Sequence, residues 1–465
     1  MLTIEEIVKT LGGKLNNGDL QAVVSGVSTD TRTIKKGELF IPLIGENFDG
    51  HDFVEEAYKK GAVGSLTQKQ IETHRGFKNL IHVEDTLESL HKLAAYYRKK
   101  FDVPFVAVTG SSGKTTTKEM ISSVLSQRKK VLKNQGNYNN HIGLPLTVFK
   151  LDTSIQVGVV EMGMSSLGEI EKLSRIVKPH VAVITNIGTA HIEKLGSKEQ
   201  ILKAKTEVFQ AMDARGIAVL NGDDVLLYSY GRNLKLRKYF FGFKRGDFQA
   251  LNLKSHGLRG IEFDIKTKDK ILKDFYLPLP GKHNVYNALA AVCVGMVFGL
   301  SPEEIKEGLK QTKREKMRLE ISRGIKNCTI INDTYNANPD SMKAALDVLV
   351  ELAASARKSR KIAVLGDMLE MGEWAPPWHM EVGKYAAQKG VDLLITVGKT
   401  AKFIAEGALE AGMDSSNITS FINNEDVIEF LKTNLRENDK ILIKGSRGMK
   451  MEQIAETFIG RERIK

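Results

Sequence analysis

The segment PFVAVTGSSGKTTTK, residues 104–118, constrains the fold more than any other part of the sequence. An apolar run precedes a loop with two glycines and a Lys-Thr pair that opens a helical segment, which predicts a strand, a phosphate-binding loop and a helix. Lys114 can neutralise outer phosphate oxygens and Thr115 can hold Mg²⁺, although Val108 stands where the full Walker pattern has its first glycine. The residues predicted to contact the phosphates are Gly110, Ser111, Ser112, Gly113, Lys114, Thr115 and Thr116.

Strands and helices alternate along most of the chain. After the phosphate loop, the patterns predict a strand at 157–162, a helix at 168–177 and a strand at 180–186. The alternation restarts beyond Met317. Alternation of this kind is typical of parallel, doubly wound sheets.

The length of 465 residues favours two or three separate cores over one. We predict an α/β fold with three domains. Residues 1–100 form a small α/β domain with strands at 22–27 and 39–43. It ends in a helix before Pro104, which disfavours helix at the residue before it. Residues 101–315 form a central domain with a mainly parallel sheet. Residues 316–465 form a Rossmann-like domain, although its glycines do not make the GxGxxG pattern.

The composition is that of a packed, soluble protein, with 42% hydrophobic and 27% charged residues. No apolar run is long enough to cross a membrane, so we expect no membrane insertion. The first residues carry Glu5 and Glu6 instead of an apolar leader, and there are only two cysteines. A cytoplasmic location is expected.

The formal net charge is +12, and the excess lies mainly in residues 101–315. This charge leaves open a nucleotide-dependent ATPase that binds nucleic acid. However, no motif combines aromatic and basic residues for base recognition, and many of the cations alternate with apolar residues between Arg232 and Lys273. We interpret that stretch as solvated strand faces and expect no nucleic-acid partner.

Two further residues lie where the central domain could hold a cation. Glu161 ends the strand VGVVE, at the sheet edge that would face the phosphate loop, and a carboxylate there suits Mg²⁺. His191 follows the next strand in a similar place. Lys205 is one of three lysines in a helical segment, and its spacing alone indicates only a solvated helix face.

Other polar residues predict contacts with the nucleotide or a substrate. Asn284 and Asn287 share one helix face and could contact adenine or cap the helix. Polar residues near the start of the third domain are expected to line a cleft between domains, and a late basic turn suits an anionic group. These residues are Arg318, Asp333, Tyr335, Asn336 and Asn338, with Lys444, Ser446 and Arg447 in the turn.

Taken together, these stretches resemble the Mur ligases over nearly the whole chain. The motifs that carry the resemblance are DTRTIKKGELFIPLIGENFDGHDF, TGSSGKTTT, NQGNYNNHIGLPLT, EMGMSSLGEI, TNIGTAHIEKLGS, AKTE, GKHNVYNALAA, NDTYNANPDSM, LGDMLEMG and KGSRGMKME. The last three favour the member that adds D-alanyl-D-alanine to UDP-N-acetylmuramoyl-tripeptide (UDP-MurNAc-tripeptide). That reaction is an ATP-dependent amide formation through an acyl phosphate, and it is the last cytoplasmic step of peptidoglycan precursor synthesis.

The resemblance also implies roles for residues. It implies a domain order of UDP-sugar-binding, ATP-binding and closing C-terminal domain, two Mg²⁺ ions and a monomer. Thr115 and Glu161 match ligands of the first ion, His191 matches a ligand of the second, and Lys205 matches the lysine that this family carbamylates. Arg318 would contact the γ-phosphate and Asp333 the nucleotide. The residues implied near the peptide precursor are Asp30, Arg32, Asn47, Asp49, His51, Asn139 and Asn140.

Two alternatives remain within the same superfamily: a folylpolyglutamate synthase, and a ligase that adds an earlier stem residue. The first-domain and third-domain motifs argue against both. The sequence does not identify the third stem residue or the group that deprotonates the incoming amine. Since the substrates would be divided among domains, an open form would leave the site incomplete.

Overall fold

The computed structural model describes residues 1–69, 77–354 and 359–460. In these residues, the strands form a five-stranded, a nine-stranded and a six-stranded sheet, with one two-stranded ribbon near the N-terminus. The three larger sheets follow one another along the chain, so the predicted α/β fold with three units is confirmed. No helix in the described ranges is both long and apolar enough to span a membrane.

The first unit is small and its elements are short. Its strands are β1 (Leu2–Thr3), β2 (Lys14–Asn16), β3 (Val23–Val24), β4 (Gly26–Ser28), β5 (Glu38–Phe40), β6 (Gly64–Thr67) and β7 (Leu80–His82), and its helices are α1 (Ile4–Leu11), α2 (Val54–Lys59) and α3 (Thr86–Lys99). The sheet order is β2-β7-β6-β5-β4. The single strand predicted at 22–27 is wrong, because β3 pairs with β1 whereas β4 pairs with β5.

The central unit holds the largest sheet. Its strands are β8 (Phe105–Thr109), β9 (Val131–Lys133), β10 (Val157–Glu161), β11 (Val181–Ile184), β12 (Ile217–Asn221), β13 (Arg237–Gly242), β14 (Phe248–Ser255), β15 (Ile261–Lys266) and β16 (Ile271–Leu277). Its helices are α4 (Lys114–Leu125), α5 (Gly143–Val148), α6 (Glu169–Val177), α7 (Ile192–Leu195), α8 (Lys198–Thr206), α9 (Val225–Asn233), α10 (Lys282–Val297) and α11 (Pro302–Lys310). The sheet order is β16-β15-β14-β13-β12-β11-β8-β10-β9.

This sheet is parallel from β9 to β14 and antiparallel at β15 and β16. The strands β8, β10 and β11 are buried along their whole length, which explains their continuous apolar runs. In β15, buried and more exposed residues alternate. The basic stretch there therefore consists of strands with one solvated face, as the sequence predicted.

The third unit is again mainly parallel. Its strands are β17 (Glu320–Arg323), β18 (Thr329–Asn332), β19 (Lys361–Gly366), β20 (Leu393–Val397), β21 (Ile418–Phe421) and β22 (Lys440–Lys444). Its helices are α12 (Pro339–Ala354), α13 (Ala375–Gln388), α14 (Lys402–Glu410), α15 (Asn424–Asn434) and α16 (Glu452–Phe458). The order is β17-β18-β22-β19-β20-β21, and only β17 is antiparallel to its neighbour. The sequence analysis did not predict the antiparallel strand β17.

The chain between the first two units is fixed by hydrogen bonds. The Arg98 guanidinium at the end of α3 is buried and donates to the carbonyl oxygens of Val177, Phe101 and Val103 at 3.1, 2.7 and 2.6 Å. The Tyr97 hydroxyl donates to the carbonyl of Leu151 at 2.8 Å. The helix before Pro104 is therefore attached to the central unit.

Helices α13 and α14 approach each other through glycines. A Cβ atom at Gly383 would lie 1.9 Å from the carbonyl oxygen of Ile404. Because backbone atoms cannot move away cheaply, we expect Gly383→Ala to lower the free energy of unfolding of the third unit by about 1–3 kcal/mol. Denaturant unfolding measures this, with Lys384→Ala as the control on the same helix. Equal stability of Gly383→Ala and the wild type would contradict the close approach.

Candidate active site

A cleft of about 670 Å³ lies between the central and third units. Its walls come from the residues that follow β8, β10, β11 and β12 and from segments that precede and follow β18. The carboxyl ends of parallel strands are the usual place for a ligand in such folds. Of the predicted site residues, the cleft is lined by Ser111, Ser112, Gly113, Lys114, Thr115, Thr116, Asn139, Asn140, Glu161, His191, Asn284, Asn287, Arg318, Asp333, Tyr335, Asn336, Asn338 and Lys444.

The phosphate loop is held by the segment that follows β11. The N–H groups of Ser111 and Ser112 donate to the carbonyl and side-chain oxygens of Asn186 at 3.1 and 3.0 Å. The Thr185 hydroxyl donates to the carbonyl of Ser112 at 2.6 Å. Gly110 has φ +147°, and a Cβ atom there would lie 1.8 Å from Oγ1 of Thr185. Glycine is therefore required at 110 for the loop to lie this close to its support.

Helix α4 begins at the end of this loop without a side-chain cap. The first N–H groups of a helix have no partner within the helix, and here they face the cleft. This arrangement attracts an anion. The predicted order of strand, glycine-containing loop and helix is confirmed, and Lys114 is the first residue of α4.

Lys114 lies over the loop. Its ammonium donates to the carbonyl oxygen of Gly110 at 2.9 Å. Burial lowers the pKa of this ammonium, Glu161 acts in the opposite direction, and the charge of Arg318 lowers the pKa further. A negative group bound between Lys114 and Arg318 would relieve their repulsion.

Glu161 is buried at the end of β10 and both of its carboxylate oxygens have partners. The Thr115 hydroxyl donates to Oε2 and the Asn139 amide donates to Oε1, both at 2.7 Å. Asn134 fixes the backbone here, because it accepts from the N–H of Glu161 at 2.9 Å and donates to its carbonyl at 3.0 Å. The structure thus brings together Thr115, Glu161 and Asn139, three residues predicted from separate motifs.

His191 lies at the start of α7 with φ +64°. Its Nδ1 atom lies 2.7 Å from Oε2 of Glu370, which belongs to the third unit. The contact with the His191 side chain is the main reason that the pKa of Glu370 lies below its usual range. We did not predict Glu370 as a site residue.

Lys205 is buried in α8 with 2% of its surface exposed. In the described ranges, its ammonium has no carboxylate within ion-pair distance. Burial lowers its pKa well below the usual value, and the charge of Lys114 lowers it further. Its side chain is not among those that line the cleft. The solvated helix face, the interpretation that its spacing favoured, is therefore wrong.

Asn284 and Asn287 form a chain of hydrogen bonds behind the phosphate loop. Asn284 donates to the carbonyl of Pro280 at 2.7 Å, and Asn287 donates to Oδ1 of Asn284 at 3.2 Å. The Thr117 hydroxyl donates to Oδ1 of Asn287 at 3.1 Å. The two amides connect α10 to α4 while they line the cleft.

The third unit supplies charged groups to the opposite wall. The Arg318 guanidinium lies 3.8 Å from the ring centroid of Tyr335. Met317 and Leu319, on either side of Arg318, have φ +58° and +47°. The N–H of Leu319 donates to Oδ1 of Asp333 at 3.0 Å. The backbone around Arg318 is thus held in a strained form by its neighbours.

Lys444 is buried and pairs with Asp333 at 2.5 Å. It also donates to the carbonyl of Asn336 at 2.9 Å. Asn338 lines the cleft, but its side chain accepts from the N–H of Ser341 at 2.9 Å at the start of α12. Lys444 and Asn338 thus have structural partners in addition to any ligand.

Several predicted substrate-binding residues do not line this cleft. Ser446 is buried and accepts from the N–H of Leu369 at 2.8 Å, and Arg447 pairs with Glu452 at 2.9 Å. The first-unit residues form local contacts away from the cleft. In these contacts, Asp30 pairs with Arg32 at 2.7 Å, Asp49 lies 2.6 Å from Nδ1 of His51, and Asn47 is exposed.

The first unit contacts the cleft indirectly. Nε2 of His91 on α3 lies 2.6 Å from the carbonyl oxygen of His141. His141 belongs to the same loop as Asn139, and sequence reasoning assigned it no role. Sequence reasoning also missed Asn134 and Asn186, whose positions after β9 and β11 were the available signal.

The donor set fits Mg²⁺. Thr115 and Glu161 provide hard oxygen atoms beside the phosphate loop, and His191 lines the same cleft with its Nδ1 atom beside Glu370. Those residues contain no group of three or more His, Cys, Asp or Glu side chains that could hold a metal alone. A cation here would therefore need oxygen atoms from a bound nucleotide or from a modified side chain.

Three family models match successive parts of the chain. They are the Mur ligase family, catalytic domain, at residues 23–98, the Mur ligase middle domain at residues 108–295, and the Mur ligase, glutamate ligase domain, at residues 317–447. Together with a curated relative that is 41% identical over 98% of the chain, they show that the chain belongs to the Mur ligase family.

That relative is the UDP-N-acetylmuramoyl-tripeptide–D-alanyl-D-alanine ligase of Bacillus subtilis (strain 168), of which 98% is covered. Among solved structures, MurF from Acinetobacter baumannii has a TM-score of 0.87 and 31% identity over 98% of both chains. The MurF ligase of Thermotoga maritima in complex with ADP has a TM-score of 0.82 and 28% identity, covering 93% of this chain and 96% of that chain.

Lys205 yields a prediction about stability and pH. The pKa of Lys205 is lower in the folded protein than in the unfolded chain. At pH values between these two pKa values, the unfolded chain binds more protons than the folded protein, so the free energy of unfolding rises with pH. We expect Lys205→Met to raise the free energy of unfolding at pH 7. The gain should be about 1.4 kcal/mol for each unit by which the pKa is lowered, and it should vanish as the pH rises toward the usual lysine value.

Denaturant titrations between pH 6 and 10 in buffer freed of carbon dioxide measure this gain. Lys203→Met, at an exposed position on the same helix, is the control and should leave the pH dependence unchanged. A lower stability of Lys205→Met at pH 7 would show that the buried lysine is stabilising and would contradict the lowered pKa.

Proposed function

We propose that this chain is an ATP-dependent ligase that joins D-alanyl-D-alanine to the peptide carboxylate of UDP-MurNAc-tripeptide in peptidoglycan precursor synthesis. The observation that carries the proposal is the cleft, which combines a phosphate loop and a Thr115–Glu161 pair with Arg318 and Asp333 from another unit. The 41% identity to a relative named for this reaction favours it over a folylpolyglutamate synthase or a ligase for an earlier stem residue.

ATP would occupy the cleft with its phosphates at the N-terminus of α4. Lys114 and Arg318 would neutralise the outer phosphates from opposite walls, and Asn284, Asn287 and Asp333 would contact the rest of the nucleotide. The Thermotoga maritima relative was solved in complex with ADP, which supports an adenine nucleotide as the ligand. Lys114 and Arg318 both line the cleft, so a highly charged anion between them would offset two positive charges.

Two Mg²⁺ ions are part of the proposal. Thr115 and Glu161 would hold one ion, and His191 and a carbamylated Lys205 the other. When bound, the ions would offset the negative charge of the triphosphate. Asn139 would keep Glu161 oriented, because its amide already donates to the second carboxylate oxygen.

The chemical logic follows from the substrates. A carboxylate does not react with an amine at neutral pH, so the γ-phosphoryl group is first transferred to the peptide carboxylate and forms an acyl phosphate. The dipeptide amine, which must first lose a proton from its ammonium form, then attacks the carbonyl carbon. The bond from that carbon to the bridging oxygen breaks, phosphate leaves, and the nitrogen gives up a second proton as the amide forms. Because the reactants are anionic, Lys114 and Arg318 contribute mainly by stabilising negative charge.

The units would divide the substrates between them. We propose boundaries near residues 100 and 316. The first unit would bind the UDP-sugar through Asp30, Arg32, Asn47, Asp49 and His51, which lie outside the nucleotide cleft. The peptide and dipeptide would contact the cleft residues Asn139, Asn140, Tyr335, Asn336, Asn338 and Lys444, together with Ser446 and Arg447.

The enzyme would act as a monomer in the cytoplasm. ATP and UDP-linked precursors are metabolites of that compartment.

The reaction is tested by ADP formation with Mg²⁺, ATP and UDP-MurNAc-tripeptide, with and without D-alanyl-D-alanine. We expect ADP formation only when UDP-MurNAc-tripeptide and D-alanyl-D-alanine are both present. Lys114→Ala should lower the rate at least about 100-fold, because a cation at the transferred phosphate is lost. Lys150→Ala, at an exposed position outside the cleft, should behave as the wild type. Turnover with a dipeptide-stem precursor or with folate instead would contradict the proposal.

The carbamate is tested separately. A lysine amine must be neutral to react with carbon dioxide, and burial of Lys205 favours the neutral form. Protein equilibrated with ¹³C-bicarbonate should show a carbamate carbon signal by NMR that is absent from Lys205→Met and present in Lys203→Met. The same signal in all three proteins would place the modification elsewhere.

A further inference from the structure

Glu370 lies in the segment 367–372 that follows β19, and this segment is firmly held. The Asp367 carboxylate accepts from the N–H groups of Thr400 and Ala401 at 3.0 and 2.6 Å. The N–H of Met368 donates to Nε2 of His379 at 2.9 Å. The N–H of Leu369 donates to Ser446, as described above. The backbone that precedes Glu370 is therefore fixed on two sides.

Glu370 reaches from this segment to the central unit. Its Oε2 atom lies 2.7 Å from Nδ1 of His191, and it is the only carboxylate of the described chain within 4.0 Å of that ring. The turn that follows also touches the central unit, since a Cβ atom at Gly372 would lie 2.9 Å from Cγ of Glu193. The start of α7 in the central unit and the segment 367–372 of the third unit thus pack together at His191.

Stability does not account for this contact. The Glu370 side chain is 58% exposed, and exposed ion pairs add little to stability. Both residues are also in left-handed conformations, with φ +61° for Glu370 and +64° for His191, which side chains other than glycine and asparagine rarely adopt. The backbone is thus strained at both residues that form the contact.

A carboxylate beside one ring nitrogen of a histidine fixes the orientation of the ring and leaves the other nitrogen for a cation. We propose that Glu370 is a positioning residue that holds His191 for cation binding, so that the third unit completes the cation site when it lies against the central unit. This inference rests on the proposed function, in which His191 holds one of the two ions.

Cation affinity tests the inference without turnover. Mn²⁺ binding to the full-length protein with ADP present can be followed by electron paramagnetic resonance, with no peptide substrate. We expect Glu370→Gln to weaken the His191-dependent Mn²⁺ site by roughly 10- to 100-fold, the usual effect of removing a group that orients a ligand. Glu373→Gln, at an exposed position three residues away, should bind as the wild type.

A double-substitution cycle separates positioning from a general structural effect. If Glu370 acts through His191, Glu370→Gln should have no further effect on Mn²⁺ affinity in a His191→Ala protein. Glu370→Asp should restore part of the affinity, and thermal melting should show that all variants fold. Additive losses in the double variant, or unchanged affinity in either single variant, would overturn the proposal.

The two hypotheses fail in different ways. If the wild type binds Mn²⁺ through His191 and Glu370 but does not consume D-alanyl-D-alanine, the substrate assignment is wrong and the positioning role stands. If the wild type turns over the dipeptide and Glu370→Gln leaves Mn²⁺ affinity unchanged, the positioning role is wrong and the ligase function stands.

Discussion

The hydrogen bonds between the phosphate loop and residues 185–188 are the contacts on which the rest of the site depends. Asn186 and Thr185 hold the loop from below, so the free N–H groups at the start of α4 point into the cleft. Around this positive end, β10 places Glu161 against the Thr115 hydroxyl. One edge of one parallel sheet thus holds the phosphate loop and the Thr115–Glu161 pair together, because its strands end side by side.

The remaining charges come from another unit and require contact between units. Arg318, before β17, and Asp333, after β18, line the cleft, and Glu370, after β19, contacts His191. Lys444 pairs with Asp333 at 2.5 Å, so a contact within the third unit fixes the wall of the cleft that this unit provides. A site built in this way is complete only when the two units meet, which links substrate binding to domain position.

Much of this arrangement could be predicted from the sequence, and the reasons are local. The phosphate loop has a distinctive pattern, and the apolar runs of β8, β10 and β11 reveal buried parallel strands. By contrast, Asn186 and Glu370 have no pattern of their own, since their roles depend on contacts over long sequence distances. At Lys205 a local pattern gave the wrong prediction. The helical spacing indicated a solvated side chain, but tertiary packing buries it. The sequence predicted one strand at 22–27 instead of β3 and β4 for a similar reason, because only their different pairing partners distinguish the two strands.

The most direct test of the account is the transfer of oxygen from the peptide carboxylate to phosphate. UDP-MurNAc-tripeptide labelled with ¹⁸O in the reacting carboxylate is incubated with the enzyme, ATP, Mg²⁺ and D-alanyl-D-alanine, and the released phosphate is examined by mass spectrometry. An acyl phosphate requires that the bond between carbon and the bridging oxygen breaks, so each phosphate should carry one ¹⁸O atom. Phosphate without the label would contradict the ligase mechanism.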